Sequence, residues 1–388
     1  MKEVINKFNC TGCSACMNSC PKNAIRMEYS REGFLYPKID TDKCINCNLC
    51  KKICPVLNTS KNISKNSCYV GYIKNDKVIM NSSSGGIFYV LANNILENNG
   101  IVIGAAFDKK NKLQHIAIEE KKEINKLMGS KYIQSNLNNI YSYIKERVKK
   151  RKILFVGTPC QVAGLKAFLK KEYDNLITVD LVCHGVPSPK LFEKYIKYIE
   201  KKNNDKLINY NFRDKSTGWD TYSTKAKFKN KEIKELFSNN YYMNLFLSDN
   251  ALRESCYNCN FKLGNKYSDI TLGDFWGIKN YHKEMYNKKG TSAIIINTEK
   301  GSTIFDSIKD KLTYKQCNIE EIVNDNPSLK YSSKKKQNRE TFYDDINRLE
   351  FEKLYKKYKP KKASIIKRII NKIKKIIKRF ISKYEKQT

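Results

Sequence analysis

The chain has 388 residues, with 74 lysines and arginines against 39 acidic residues, and 14 cysteines. That length exceeds one small redox module and leaves room for about two further globular units, while no apolar run approaches the roughly 20 residues needed to cross a bilayer. The net charge of +35 rests on lysine, 64 residues against 10 arginines; with the planar arginine fork so scarce, no nucleic-acid partner is expected and the charge reads as compositional bias.

The chain opens MKEVINKFNC, with no apolar signal region, so a reducing cytoplasm is expected and disulfides are not. Cys10, Cys13, Cys16 and Cys20 precede Pro21; Cys44, Cys47, Cys50 and Cys54 precede Pro55; each matched position is offset by 34 residues. Both runs read C-x2-C-x2-C-x3-C-P, the spacing of two-cluster bacterial ferredoxins, in which the fourth cysteine of each run serves the other cluster. Cys10, Cys13, Cys16 and Cys54 are therefore expected around one [4Fe-4S] cluster, and Cys44, Cys47, Cys50 and Cys20 around a second. Zinc sites take paired cysteines rather than triplets plus one. The reading gives an α+β ferredoxin module over 1–57 and a polar linker over 58–67.

From 68 onward apolar runs alternate with helical patterns. They predict a helix over 86–97, a strand over 101–107, a helix over 137–149, a strand over 153–156, a helix over 161–170, a strand over 176–182 and a helix over 190–201. This is an α/β catalytic body with some parallel pairing, divided here into 68–150 and 151–345. After 207 the pieces INYNF, STKAKF and KEIKELF announce an added strand-rich lobe.

Three stretches of the body carry more chemistry than packing needs. Ser82, Ser83, Ser84, Gly85 and Gly86 stand before an apolar helix, where backbone N–H groups favour phosphate. A second polar loop holds Gly129, Ser130, Lys131, Tyr132, Gln134 and Ser135. Third, Cys160 opens a helix after a strand, where the helix dipole would acidify its thiol. Cys160 and Cys183 each follow a strand of one α/β unit and so reach the same sheet edge; with the C-x2-C pair Cys256 and Cys259 they make a four-thiolate set. A third cluster is favoured over zinc there, in a chain that already builds two; ordinary buried thiols are the alternative.

SSSGGIF (82–88), GSKYIQS (129–135), GTPCQVAGL (157–165), CHGVPSP (183–189), FRDKSTGW (212–219), CYNCNF (256–261) and SDITLGDFWG (268–277) together resemble the coenzyme F420 hydrogenase/dehydrogenase beta-subunit family over about 68–320. The sequence departs from that family at Glu254, where a proline is expected. The resemblance implies FAD held by the Ser82 and Gly129 loops, clusters near it, and a pocket for a two-electron substrate, F420-like or another small molecule. It also suggests work beside cell-surface polysaccharide biosynthesis. The expected function is thus an iron–sulfur flavoprotein oxidoreductase that exchanges electrons with a ferredoxin or another redox protein. The alternative is a non-catalytic electron-transfer subunit docked on a larger oxidoreductase. His184 is the first candidate proton donor and Lys131 the second; Asp274, Phe275 and Trp276 are candidate pocket walls.

The tail, 346–388, is basic. From Lys361, Ile365, Ile366, Ile369, Ile373, Ile376, Ile377, Phe380 and Tyr384 fall mainly on one helical face. Such a basic amphipathic helix suits an anionic membrane surface and would put the chain on the inner leaflet.

Overall fold

The computed structural model describes residues 3–59 and 67–360. The expected tail from Lys361, and most of the linker, lie outside the described residues.

The ferredoxin module is a two-stranded antiparallel hairpin, β1 (Ile25–Tyr29) and β2 (Leu35–Ile39), flanked by the single-turn helices Ala15–Asn18 and Leu49–Lys52. Both helices begin inside a cysteine run, and each follows a left-handed residue, Ser14 or Asn48. Such a reversal lets the chain curl back on itself between ligands spaced three apart.

The body is built on one mixed sheet of eight strands. In chain order these are β3 (Ser67–Ile73), β4 (Ile101–Phe107), β5 (Leu113–Ile118), β6 (Ile153–Gly157), β7 (Leu176–Leu181) and then, after a separate lobe, β11 (Ile270–Asp274), β12 (Ser292–Ile296) and β13 (Leu312–Cys317). Their spatial order is β13-β3-β12-β11-β7-β6-β4-β5. Only the central β4, β6, β7 and β11 pair in parallel. They read as continuous apolar runs because helices cover both faces; Ile153, Leu154 and Phe155 are fully buried. The lobe is a three-stranded antiparallel sheet of β8 (Leu207–Asp214), β9 (Ser223–Phe228) and β10 (Glu232–Leu236).

The sequence elements are present with shifted ends. The helix expected over 137–149 is shorter, Ile140–Arg147, because Asn138 takes a left-handed conformation and its N–H bonds the Asn136 side chain in a turn. Strands β3, β5, β11, β12 and β13 lie outside the elements that the apolar pattern predicts; β11 extends the parallel core and the others add antiparallel around it, a pairing that periodicity along the chain does not encode. The helix Phe351–Tyr358 buries Phe351, Leu354 and Tyr358 in the body, so the first residues of the expected tail segment are packed. No helix among the described residues is long and apolar enough to cross a membrane.

The ferredoxin module is fastened to the body by specific bonds. Gln134 Oε1 accepts from Leu35 N at 3.0 Å, and the buried Arg339 guanidinium grips Glu32 at 3.2 and 2.8 Å while also pairing with Glu254. Asn18 bridges to Asn138 and Ser142. Gly12, at φ +71°, sits so close to Gln134 and to Leu35 O that any side chain there would collide.

Candidate redox site

Three cavities are lined by cysteines. Cys10, Cys13, Cys16 and Cys54 line one; Cys20, Cys44, Cys47 and Cys50 line a second. This is the crossed grouping that the spacing leads one to expect. The second cavity is the outer one: Cys47 is exposed and Ile45 beside it is 57 % exposed, whereas Cys10, Cys13 and Cys54 are buried.

Cys160, Cys183, Cys256 and Cys259 line the third cavity, together with His184, Arg253, Lys262, Lys266 and Thr11. The sheet explains the gathering. β6 and β7 are parallel neighbours, so the residues just beyond their C-terminal ends, Thr158–Cys160 and Val182–Cys183, emerge side by side. Pro159 occupies the first helical position, where its missing N–H costs nothing, and Thr158 N donates to Gln161 Oε1 at 2.9 Å. The other pair arrives from the loop before β11. That loop is stitched to the segment after Cys183 by Arg253 N donating to Val186 O (2.9 Å) and by a bridge between Pro187 and Leu252. Lys262 Nζ then donates to Cys183 O at 2.7 Å, and Ser332 Oγ accepts from Cys259 N at 3.0 Å.

The acidified thiol expected at Cys160 is not what the structure holds. Although a helix starts there, burial pushes the Cys160 thiol well up, assisted by the neighbouring cysteines, and burial likewise pushes Cys256 up to about 12. Burial is the first cause at Cys160, and the Thr158 hydroxyl beside the thiol works the other way. Among the described residues, no three His, Cys, Asp or Glu side chains close around a single metal ion.

His184 is clamped: Nε2 lies 2.6 Å from Asp249 Oδ1, and Phe246 meets the ring edge-on. Lys131 is placed differently. Its ammonium donates to the carbonyls of Leu127, Met128 and Gly129 at 2.8–3.1 Å, ending the short helix Ile124–Leu127. Burial holds it down at about 7, yet its three hydrogens are all engaged.

The two polar loops do come together. Ser83 Oγ accepts from Ser130 N at 2.6 Å and meets Ser130 Oγ at 2.8 Å. The remaining hydroxyls face inward: Ser82 Oγ donates to Val78 O and Ser84 Oγ to Thr291 O, while Gly85 N donates to Ser292 Oγ. Gly86 leads the helix Ile87–Glu97 with no side-chain cap. Tyr132 stacks on Phe246, Ser135 bonds His115, and Gln134 serves the ferredoxin contact.

Sequence reasoning missed the cations at these places. Lys215 is buried, reaches Ser84 O at 2.8 Å, and is held down at about 7 by burial and by nearby Arg213. Arg213 forms a two-pronged pair with Asp274, which also accepts from Trp219 Nε1; Trp219 stacks on Trp276 with centroids 4.9 Å apart. Phe275 is fully buried. Arg213, Lys215 and Trp219 lie within FRDKSTGW and Asp274 within SDITLGDFWG, so the signal was present as motif without assigned roles.

Residues 150–322 match the family described as the C terminus of the coenzyme F420 hydrogenase/dehydrogenase beta subunit, and residues 9–58 match the 4Fe-4S dicluster domain. An uncharacterized protein of Methanocaldococcus jannaschii is 24% identical over 351 residues, covering 78% of this chain and 88% of that protein. A polyferredoxin-like protein of the same organism is 36% identical over 73 residues, 16% of this chain and 42% of that protein. Among solved structures, a chain of the F420-reducing [NiFe] hydrogenase complex from Methanosarcina barkeri aligns at 17% identity and a TM-score of 0.44, covering 77% of this chain and 92% of that one.

Proposed function

We propose that this chain, a protein like the coenzyme F420 hydrogenase/dehydrogenase beta subunit with an N-terminal 4Fe-4S ferredoxin domain, relays electrons through three cluster sites to a flavin in its body, where a small-molecule substrate is oxidised or reduced. The observation that carries the reading is the convergence of Cys160, Cys183, Cys256 and Cys259 on one cavity that shares Thr11 with the inner ferredoxin cavity. A cubane spreads its four thiolates around a body several atoms across, whereas zinc draws its ligands to about 2.3 Å. Cysteines that share a cavity without closing on one ion favour the cluster.

The residues order the route. Cys20, Cys44, Cys47 and Cys50 hold the outer site, which receives electrons from or gives them to a redox protein; Cys10, Cys13, Cys16 and Cys54 hold the inner one; the body cysteines hold the third. Cluster binding requires the thiols to lose their protons.

FAD is assigned to the meeting of the Ser82–Gly86 and Gly129–Ser130 loops, supported by the Ser83–Ser130 contact that joins them. There the helix start at Gly86 and the Lys215 ammonium, held by Ser84 O, would take its phosphates, and Ser83 and Ser130 would fix the loop shape. When bound, a flavin exchanges electrons singly with clusters and in pairs with a substrate. His184, held by Asp249, faces the third cavity and is the group placed to hold or move a proton there; Lys131 is a positioning residue for the Gly129 loop. The basic tail from Lys361 would add an anionic-membrane contact, and a place near polysaccharide assembly rests on the resemblance alone. Anaerobic purification of the full chain, with iron, sulfide and flavin counted, tests the reading. Iron for three cubanes with one FAD is expected; iron for two and no flavin would reduce the protein to an electron-transfer subunit.

A further inference from the structure

Arg253 is fully buried and lies between two of the cysteine cavities. Its Nε donates to Cys10 O at 2.7 Å, so the side chain is anchored on the inner ferredoxin loop. The same residue lines the third cavity beside Cys256 and Cys259, and its Nη1 lies 3.1 Å from where a Cβ of Gly12 would stand, on the wall of the inner ferredoxin cavity. Nη1 and Nη2 have no hydrogen-bond partner among the described residues, and Thr11 lines both cavities. No carboxylate pairs with Arg253 among the described residues; Tyr36 and Phe34 cover the guanidinium with their ring faces at 4.0 and 5.5 Å.

An uncompensated buried cation costs a large part of the margin that holds a domain together. Cation–π contact returns only a fraction of that cost, and one bond to a carbonyl does not supply the rest. The site needs an anion. A cubane on four thiolates is an anion in the states it cycles through, and it gains one more negative charge on reduction.

We propose that Arg253 is the shared counter-charge of the inner ferredoxin cluster and the third cluster, its free N–H groups donating to cluster or cysteinyl sulfur. Resting on the three-cluster reading, the assignment makes it a positioning and potential-setting residue: it favours the reduced state and keeps the two sites in register through Cys10. Hydrogen bonds to sulfur and net charge are the levers that set such potentials.

The test uses the full chain with its clusters loaded anaerobically and labelled with ¹⁵N-arginine. Reduced wild type should show ¹⁵N hyperfine coupling to a cluster, absent in Arg253→Lys prepared the same way. Potentiometric titration of Arg253→Gln, with iron and sulfide unchanged, should move at least one cluster to a more negative potential. Full iron with unchanged potentials and no ¹⁵N coupling would overturn the assignment and leave the three-cluster reading standing. Iron for only two clusters in wild type would sink both. If Arg253→Gln loses iron, the wild-type hyperfine spectrum alone decides: coupling supports the assignment, its absence overturns it.

Discussion

Gly164 stands against Cys13: a methyl group on its α-carbon would come within 2.9 Å of the Cys13 sulfur. The helix that starts at Pro159 and carries Cys160 is thereby the seat of the inner ferredoxin loop. Tyr141, whose hydroxyl donates to Gln161 O at 2.7 Å, closes the same contact. A larger residue at 164 must push the loop away from the helix. Gly164→Val is expected to cost about 1–3 kcal/mol by overpacking and to slow electron passage from ferredoxin to body, read by denaturant unfolding and by stopped-flow reduction.

Cys256→Ser removes one of the four thiols that line the third cavity, the proposed third cluster site, and touches neither ferredoxin cavity. Purified anaerobically, it should lose about four irons per chain and keep the signals of a two-cluster ferredoxin. Unchanged iron would return Cys256 to the class of ordinary buried thiols.

Arg339 and Glu32 tie the ferredoxin hairpin to the body with both charges largely withdrawn from water, the side chains being 2% and 20% exposed. Removing one partner leaves the other charge uncompensated. Arg339→Met is therefore expected to destabilise the chain by about 3–5 kcal/mol, seen as a lowered unfolding midpoint. Glu254 pairs with Arg339 as well, so Glu32→Gln should cost less than Arg339→Met.

His115 gives a pH dependence of definite sign. Burial is the first cause holding its imidazole down at about 4, with Ser135 Oγ 2.8 Å from one ring nitrogen and Val156 O 3.1 Å from the other. An unfolded histidine titrates near 6.5. Between those values the unfolded chain takes up a proton that the folded chain refuses, so this contribution is complete above about pH 6.5 and is lost as the pH falls toward 4. It amounts to about 3 kcal/mol at most. Stability of His115→Phe should fall less between about pH 7 and pH 5 than that of wild type, measured by urea unfolding.

Around the outer cysteines, Lys22, Lys51 and Lys52 are exposed, and the acidic Asp40 nearby is already engaged with Lys43. An acidic redox protein would meet a positive rim. Changing the three lysines to glutamate should slow reduction by such a carrier about tenfold or more at low salt, with the difference shrinking as ionic strength rises. A rate indifferent to both changes would place electron entry elsewhere.

Much of this protein was legible along the chain. The triplets Cys10, Cys13, Cys16 and Cys44, Cys47, Cys50 follow from short-range spacing, because a cluster loop is a local structure, and the crossed fourth cysteines, Cys54 and Cys20, follow from the repeat of that motif. The parallel strands β4, β6 and β7 were legible because burial on both faces leaves unbroken apolar runs. From two of those strands the shared edge for Cys160 and Cys183 follows directly. What only tertiary structure decided depends on partners far apart in sequence. Strand β3 finds its neighbours β12 and β13 across more than two hundred residues. The Ser82 loop spends most of its hydroxyls on the body rather than pointing them outward. Arg253, one arginine among ten, acquires its meaning only where folding seals it, with no carboxylate partner among the described residues, between two sets of thiols.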